Sequence, residues 1–203
     1  MKRAAALAVL DFAEIPAGLD ATDAMLKKAP VAFFRSGTVT AGRYLTLIGG
    51  TPASVEEALA EGLARAEGHL LDHLYLADVH PRLLDALEGR RGEDGTGALL
   101  ILETATASSV VLACERALKG TLVDLVEVRL SDAGLAGKGL ALFRGDLHEL
   151  EAAVEIVTSA LPPAAGLSYR VLARPHDAFA REAALGTAFA ASRFVDLGGE
   201  EAS

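Results

Sequence analysis

Asp23-Ala24-Met25-Leu26-Lys27 and Glu115-Arg116-Ala117-Leu118-Lys119 share one pattern, an acid, a pair of apolar residues and a lysine four places after the acid, and they stand 92 positions apart. Working outward, Ala8-Val9-Leu10-Asp11 matches Leu100-Ile101-Leu102-Glu103 at the same spacing. Ala41-Gly42-Arg43 matches Ala136-Gly137-Lys138, and Val55-Glu56 matches Leu150-Glu151, at 95. Ala77-Asp78-Val79-His80 meets Ala173-Arg174-Pro175-His176 at 96. A spacing that drifts by a few residues is what loop insertions produce in a duplicated domain, so the chain is read as an internal repeat.

The composition agrees with two packed units. The chain has 203 residues, of which 51% are hydrophobic, 23% charged and 5% aromatic, with a formal charge of −9. That balance suits a soluble acidic protein and excludes a disordered or fibrous one. Two domains of about 100 residues each fit the length. A mean hydropathy of +0.32 is high for so acidic a chain, so apolar surface is expected to be covered by oligomerisation. Negative charge without basic residues interleaved among aromatics excludes nucleic acid as a partner. Residues 4–10 form an apolar run that meets Asp11, which reads as a first strand and not a signal peptide. Glu103, Glu115 and Asp124 interrupt the best apolar stretch, well short of the roughly 18 residues of a membrane span. The single cysteine, Cys114, has no disulfide partner, which points to a reducing compartment.

Each copy carries the same succession of patterns. In the first, 5–11 is a compact apolar strand and 17–29 has helical spacing that Pro30 ends. The β-prone runs 31–34 and 44–48 flank the small-residue loop Ser36-Gly37-Thr38-Val39-Thr40-Ala41-Gly42. A helix over 54–66, with Ser54 as N-cap and Glu57 at the capping-box position, and a strand over 74–77 complete it. The second copy reads as strand 99–103, helix 108–119, strands 123–130 and 139–144, helix 147–160 and strand 169–173. The fold class is therefore α+β, two tandem β-α-β-β-α-β, ferredoxin-like domains. Their bounds are 4–88 and 98–183, with a linker at 89–97 (Gly89-Arg90-Arg91-Gly92-Glu93-Asp94-Gly95-Thr96-Gly97) and a weakly patterned tail at 184–203.

Catalytic constellations are missing from this pattern. Gly134-Leu135-Ala136-Gly137-Lys138-Gly139 resembles a phosphate loop, but the first glycine is replaced by Asp132 and the final hydroxyl residue by Gly139. His69 and His73, with Asp72 between them, have the spacing of one helical turn but no third metal ligand. Glu56-Glu57 and Glu149 with Glu151 sit at helix starts, where the helix dipole favours acids. Cys114 falls on a largely apolar helix and reads as core. No catalytic residue, metal or cofactor is expected.

These segments resemble the bacterial microcompartment shell domain. Asp23-Ala24-Met25-Leu26-Lys27-Lys28-Ala29 is similar to that family's first-helix signature, Thr40-Ala41-Gly42-Arg43 stands where its pore loop stands, and Leu172-Ala173-Arg174-Pro175-His176 is similar to its strand-four ending. The resemblance implies the tandem, trimeric, unpermuted subclass: a homotrimeric pseudohexamer in the shell of a compartment in the bacterial cytoplasm, tiled with hexameric and pentameric shell proteins. It implies pore loops at Thr38, Val39, Thr40, Ala41 and Gly42 and at Gly134, Leu135, Ala136 and Gly137, with Thr40 and Leu135 nearest the axis, passing small metabolites. It places Lys27, Lys119 and Arg174 at the edge between tiles. Some trimeric members hold an iron-sulfur cluster through pore cysteines, and neither loop here has one. A duplicated ferredoxin-like sensor that binds a small molecule between its copies is the alternative function, and a heterologous contact repeated between domains closes a ring if the rotation permits.

Overall fold

The computed structural model describes residues 5–92, 97–195 and 197. The expected domain start at residue 4, linker residues 93–96 and tail residues 196 and 198–203 lie outside the described residues.

In the first half, β1 (Ala6–Phe12), α1 (Ile15–Lys28), β2 (Phe33–Val39), β3 (Arg43–Gly50), α2 (Pro52–Ala66) and β4 (Leu70–Leu76) follow the β-α-β-β-α-β order, and a further helix α3 (Pro81–Leu87) closes the half. The second half repeats it as β5 (Ala98–Thr104), α4 (Ala107–Gly120), β6 (Asp124–Leu130), β7 (Gly139–Gly145), α5 (Leu147–Ala160), β8 (Ser168–Leu172) and α6 (Asp177–Leu185). The sheets are antiparallel with equivalent orders, β2-β3-β1-β4 and β6-β7-β5-β8. The internal repeat is thus a repeat of structure.

Several boundaries differ from the sequence expectation for definite reasons. Helix α2 starts at Pro52 with Thr51 as its N-cap, whose hydroxyl accepts the Ser54 N–H at 3.3 Å. Proline at the first helical position sacrifices no hydrogen bond, so the helix begins earlier and Ser54 becomes an interior residue. Strand β2 runs through the small residues expected to form a loop, because each is paired with β3 out to Val39 opposite Arg43. The turn itself is only Thr40–Gly42, where Ala41 and Gly42 have φ of 65° and 69°. Strand β4 begins at Leu70, so His73 lies on a strand and the helical spacing of the histidines disappears. Helices α3 and α6 carry too few turns for their periodicity to stand out, and both are N-capped by a histidine side chain, His80 and His176.

The central strand β1 is buried along its whole length. Ala6, Ala8, Leu10 and Phe12 pack with Met25, Ile48, Val55 and Leu59 beneath α1 and α2. Leu7 and Val9, on the other face, belong to a cluster that continues through Leu83 into Val110, Val111, Cys114 and Leu125 of the second half. Two small cores are thereby joined into one body. The described start of the linker is also anchored: Gly92 N–H donates to Val126 O at 3.0 Å, and Arg91 pairs with Glu127 and donates to Ala184 O at 2.6 Å.

Gly139 of β7 lies directly under α4. A Cβ there would stand 2.4 Å from Val110 Cγ1 and 2.8 Å from Thr106 O. The second contact is backbone and cannot swing away, so Gly139→Ala is expected to lose about 2–3 kcal/mol of stability in a urea titration.

Candidate functional site

The site is built at the junction of the two halves. Strands β1 and β4 with α3 form one wall, and α4 with β6 forms the other. Asp11, at the end of β1, is buried at 1% exposure. Its carboxylate accepts the Ala107 N–H at 3.2 Å, the Ser108 N–H at 2.8 Å and the Ser108 hydroxyl, capping α4 from the other domain. Asp72 of β4 accepts the hydroxyls of Thr106 and Ser109 at the same helix end. The cluster of His69, Asp72 and His73 is therefore taken apart: Asp72 turns to α4, and His69 Nδ1 lies 3.2 Å from Glu14. Among the described residues no group of three or more His, Cys, Asp or Glu is arranged to hold a metal.

Further along α4, the buried Glu115 accepts the His80 N–H at 3.0 Å and pairs with Lys119 at 2.7 Å. Lys119 also reaches Asp78 at 3.2 Å and keeps 41% of its side chain exposed. It is engaged inside the chain. Its counterpart Lys27 pairs with Asp23 and is 74% exposed. Arg174 is exposed and has no carboxylate partner among the described residues. Arg82 of α3 clasps β6 through Asp124 at 3.3 Å and the carbonyl of Leu125. Burial pushes the Cys114 thiol up, which makes it an inert core residue.

At one end of the junction the two small-residue loops lie side by side. The Thr40 N–H donates to Ser131 O at 3.0 Å, its hydroxyl donates to the same oxygen at 2.7 Å, and the Gly137 N–H donates to that hydroxyl at 3.0 Å. Arg43 crosses behind the loops to the carbonyls of Gly137 at 2.8 Å and Ala105 at 3.2 Å. Gly137 has φ of 87°, and a Cβ on it would stand 2.6 Å from Arg43 Nη1, so only glycine lets this buttress approach. Lys138 pairs with Glu103 and Arg129 with Asp132. Every cation near the loops is thus spoken for by an oxygen. The exposed tips are Thr38, Ala41 and Gly42 in one loop and Ala133, Gly134 and Ala136 in the other.

One expected detail changes here. Leu135 is buried at 8% exposure and Thr40 is half-buried in the loop-to-loop contact. The loops present small residues and backbone at their tips, and the Leu135 side chain is covered within the chain. Sequence reasoning also missed the role of Asp11, whose only signal was an acid inside an otherwise apolar strand.

The chain is a duplicated α+β pair whose small-residue loops lie side by side. The family comparison gives it a place: the BMC domain model matches residues 6–81 and 98–175, and the chain belongs to that family, with two BMC domains in tandem. It is 33% identical over 178 residues to the bacterial microcompartment shell protein PduT of Citrobacter freundii, covering 87% of this chain and 96% of that one. A crystal structure of a microcompartment protein from Desulfitobacterium hafniense DCB superposes with a TM-score of 0.75 at 32% identity, covering 87% of this chain and 98% of that one. A fused permuted hexameric shell protein from the RMM microcompartment shares the fold, with a TM-score of 0.57 at 21% identity over 76% of this chain and 83% of that one. The chain is a structural shell protein, not an enzyme. No helix among the described residues is long and apolar enough to cross a membrane.

The junction yields a test through Asp11. Burial, helped by the charge of Asp72, raises its carboxyl above the ordinary 3.8 despite the hydrogen bonds it accepts. The folded protein then binds the proton more tightly than the unfolded chain, so this group contributes most stability below that ordinary value and loses it as pH rises through the raised one. Asp11→Asn should remove this slope from the pH dependence of urea unfolding. Asp11→Ala, which strands the Ala107 and Ser108 N–H groups, should cost about 2–3 kcal/mol.

Proposed function

We propose that three copies of the chain close into a pseudohexameric tile of a microcompartment shell in the bacterial cytoplasm, with a central pore for small polar metabolites. The observation that carries this is the junction itself. It joins one face of the first domain to the opposite face of the second, and each face has a structural copy left over at the other end of the molecule. Heterologous contacts of this kind close into a ring where the rotation between units permits, and three two-domain chains supply six nearly equivalent places. The wild-type chain is expected to be a trimer by light scattering at micromolar concentration. A monomer there overturns the ring.

In such a ring the two loops of each chain, Thr38 to Gly42 and Gly134 to Gly137, recur around one axis. Their exposed small residues and backbone amides offer hydrogen bonds in place of a solute's hydration shell, without a fixed net charge. Since Thr40 is committed to the contact between loops, the pore is tested at Ala41, exposed at the tip. Three thiols introduced by Ala41→Cys should cross-link, or bind a soft metal together, within one trimer. Thiols out of mutual reach in an intact trimer would remove this loop from the pore.

The edge of the tile is assigned to Lys27, Lys119 and Arg174, where it meets hexameric and pentameric shell proteins and other copies of itself. Because Lys119 also holds Asp78 and Glu115 within the chain, tiling is better tested at Lys27. Lys27→Ala should still form a trimer while sheets disappear in electron micrographs of concentrated protein.

A further inference from the structure

Helix α4 shows what the matching face of α1 lacks. Ser108, Val111, Glu115 and Lys119 recur at three- and four-residue spacing and so share one face, and this face meets the first domain through Val9, Asp78 and His80. Val111 is fully buried there. At the same positions α1 carries Leu19, Asp23 and Lys27, and Leu19 is 53% exposed.

The opposite wall tells the same story. Leu83 of α3 is fully buried, and its counterpart on α6, Phe179, is 50% exposed. The frames are equivalent, since His80 and His176 each cap their helix by accepting the N–H two residues on, at 3.2 and 3.3 Å. In the sheets, Leu125 stands opposite Phe143, and Phe34 stands opposite the matching Ile48. Leu125 is fully buried and Phe34 is 53% exposed. Leu19, Phe34 and Phe179 are thus the exposed copies of Val111, Leu125 and Leu83, and the contact that buries the latter is the one between domains.

We infer, resting on the ring proposed above, that a second copy of the chain lays its Leu19, Asp23 and Lys27 face against the Arg174, His176 and Phe179 face of the second domain, with Asp23 pairing with Arg174. The charges make this contact the electrostatic inverse of its template. Within the chain, Lys119 sits between two acids, Glu115 and Asp78. Between chains, Arg174 takes the place of Asp78, so Asp23 sits between two cations, Lys27 and Arg174, and also receives the backbone N–H of His176 as Glu115 receives that of His80. On the receiving face Arg174 stands exposed beside His176 and Phe179.

Other parts of the template are not reproduced. Arg82, which clasps β6, is matched by Ala178, and Ser108, which donates to Asp11, is matched by Pro16, whose nitrogen carries no hydrogen. Glu103, the counterpart of Asp11, is held by Lys138. The contact between chains therefore depends on the three apolar residues for adhesion and on Asp23 with Arg174 for register.

The test is the trimer-to-monomer equilibrium of the full chain, followed by mass measurement across a dilution series. Asp23→Arg brings three cations together and should raise the dissociation midpoint by about tenfold or more. Arg174→Asp alone recreates the pattern found within the chain and should leave the trimer intact. The two changes combined should return the midpoint to within about threefold of wild type. Should Asp23→Arg fail to fold, Asp23→Ala reads the same contact in the same direction. A wild-type trimer that Asp23→Arg leaves undisturbed, or a double variant no better than the single one, overturns the pairing while the ring stands. A wild-type monomer overturns the ring as well.

Discussion

Helix α4 is buried on nearly its whole circumference, and it can be so only because the other domain supplies acceptors for its first turn. The opening N–H groups of a helix have no partner within it. Here Asp11 takes those of Ala107 and Ser108, while Thr106 and Ser109 give their hydroxyls to Asp72. With its polar end satisfied, the helix places Val110, Val111 and Cys114 in the apolar cluster that spans both halves. The two carboxylates add their charge to the positive end of the helix dipole, which offsets part of the cost of burying Asp11.

From this contact the rest of the geometry follows. Seating α4 against β1 and β4 sets α3 over β6, where Arg82 reaches across. It also brings the small-residue loops together, so that Thr40 and Arg43 knit them from one side. The loops are stiffened by hydrogen bonds to each other and their nearby charges are paired, which leaves tips of small residues and backbone.

Duplication followed by divergence explains why the copies differ most where they touch. Ten residues of α4 are buried against four in α1. That difference reflects position and not a different fold, since the sheets have the same order and nearly the same lengths. The contact within the chain is clasped by Asp11, Asp72 and Arg82, whereas the corresponding outward faces keep the half-exposed Leu19, Phe34 and Phe179.

The sequence by itself determined the duplication, the α+β class and most element positions, because these rest on local periodicity and on residues repeated at nearly constant spacing. Helix α5, expected over 147–160, is found at Leu147–Ala160. Turn chemistry was legible in part: the glycines and small residues marked both loops, though not how far β2 extends, since ladder pairing with β3 overrides a weak strand propensity. Helices α3 and α6 were too short to leave a period. What only the tertiary structure decided is which residues meet across the junction. That Asp11 caps a helix 96 positions away, that Lys119 is held by Asp78 while Lys27 stands exposed, and that Leu135 turns inward depend on how two domains pack. No local pattern encodes such a contact, because its energy comes from desolvation and from partners brought together only once both sheets have formed.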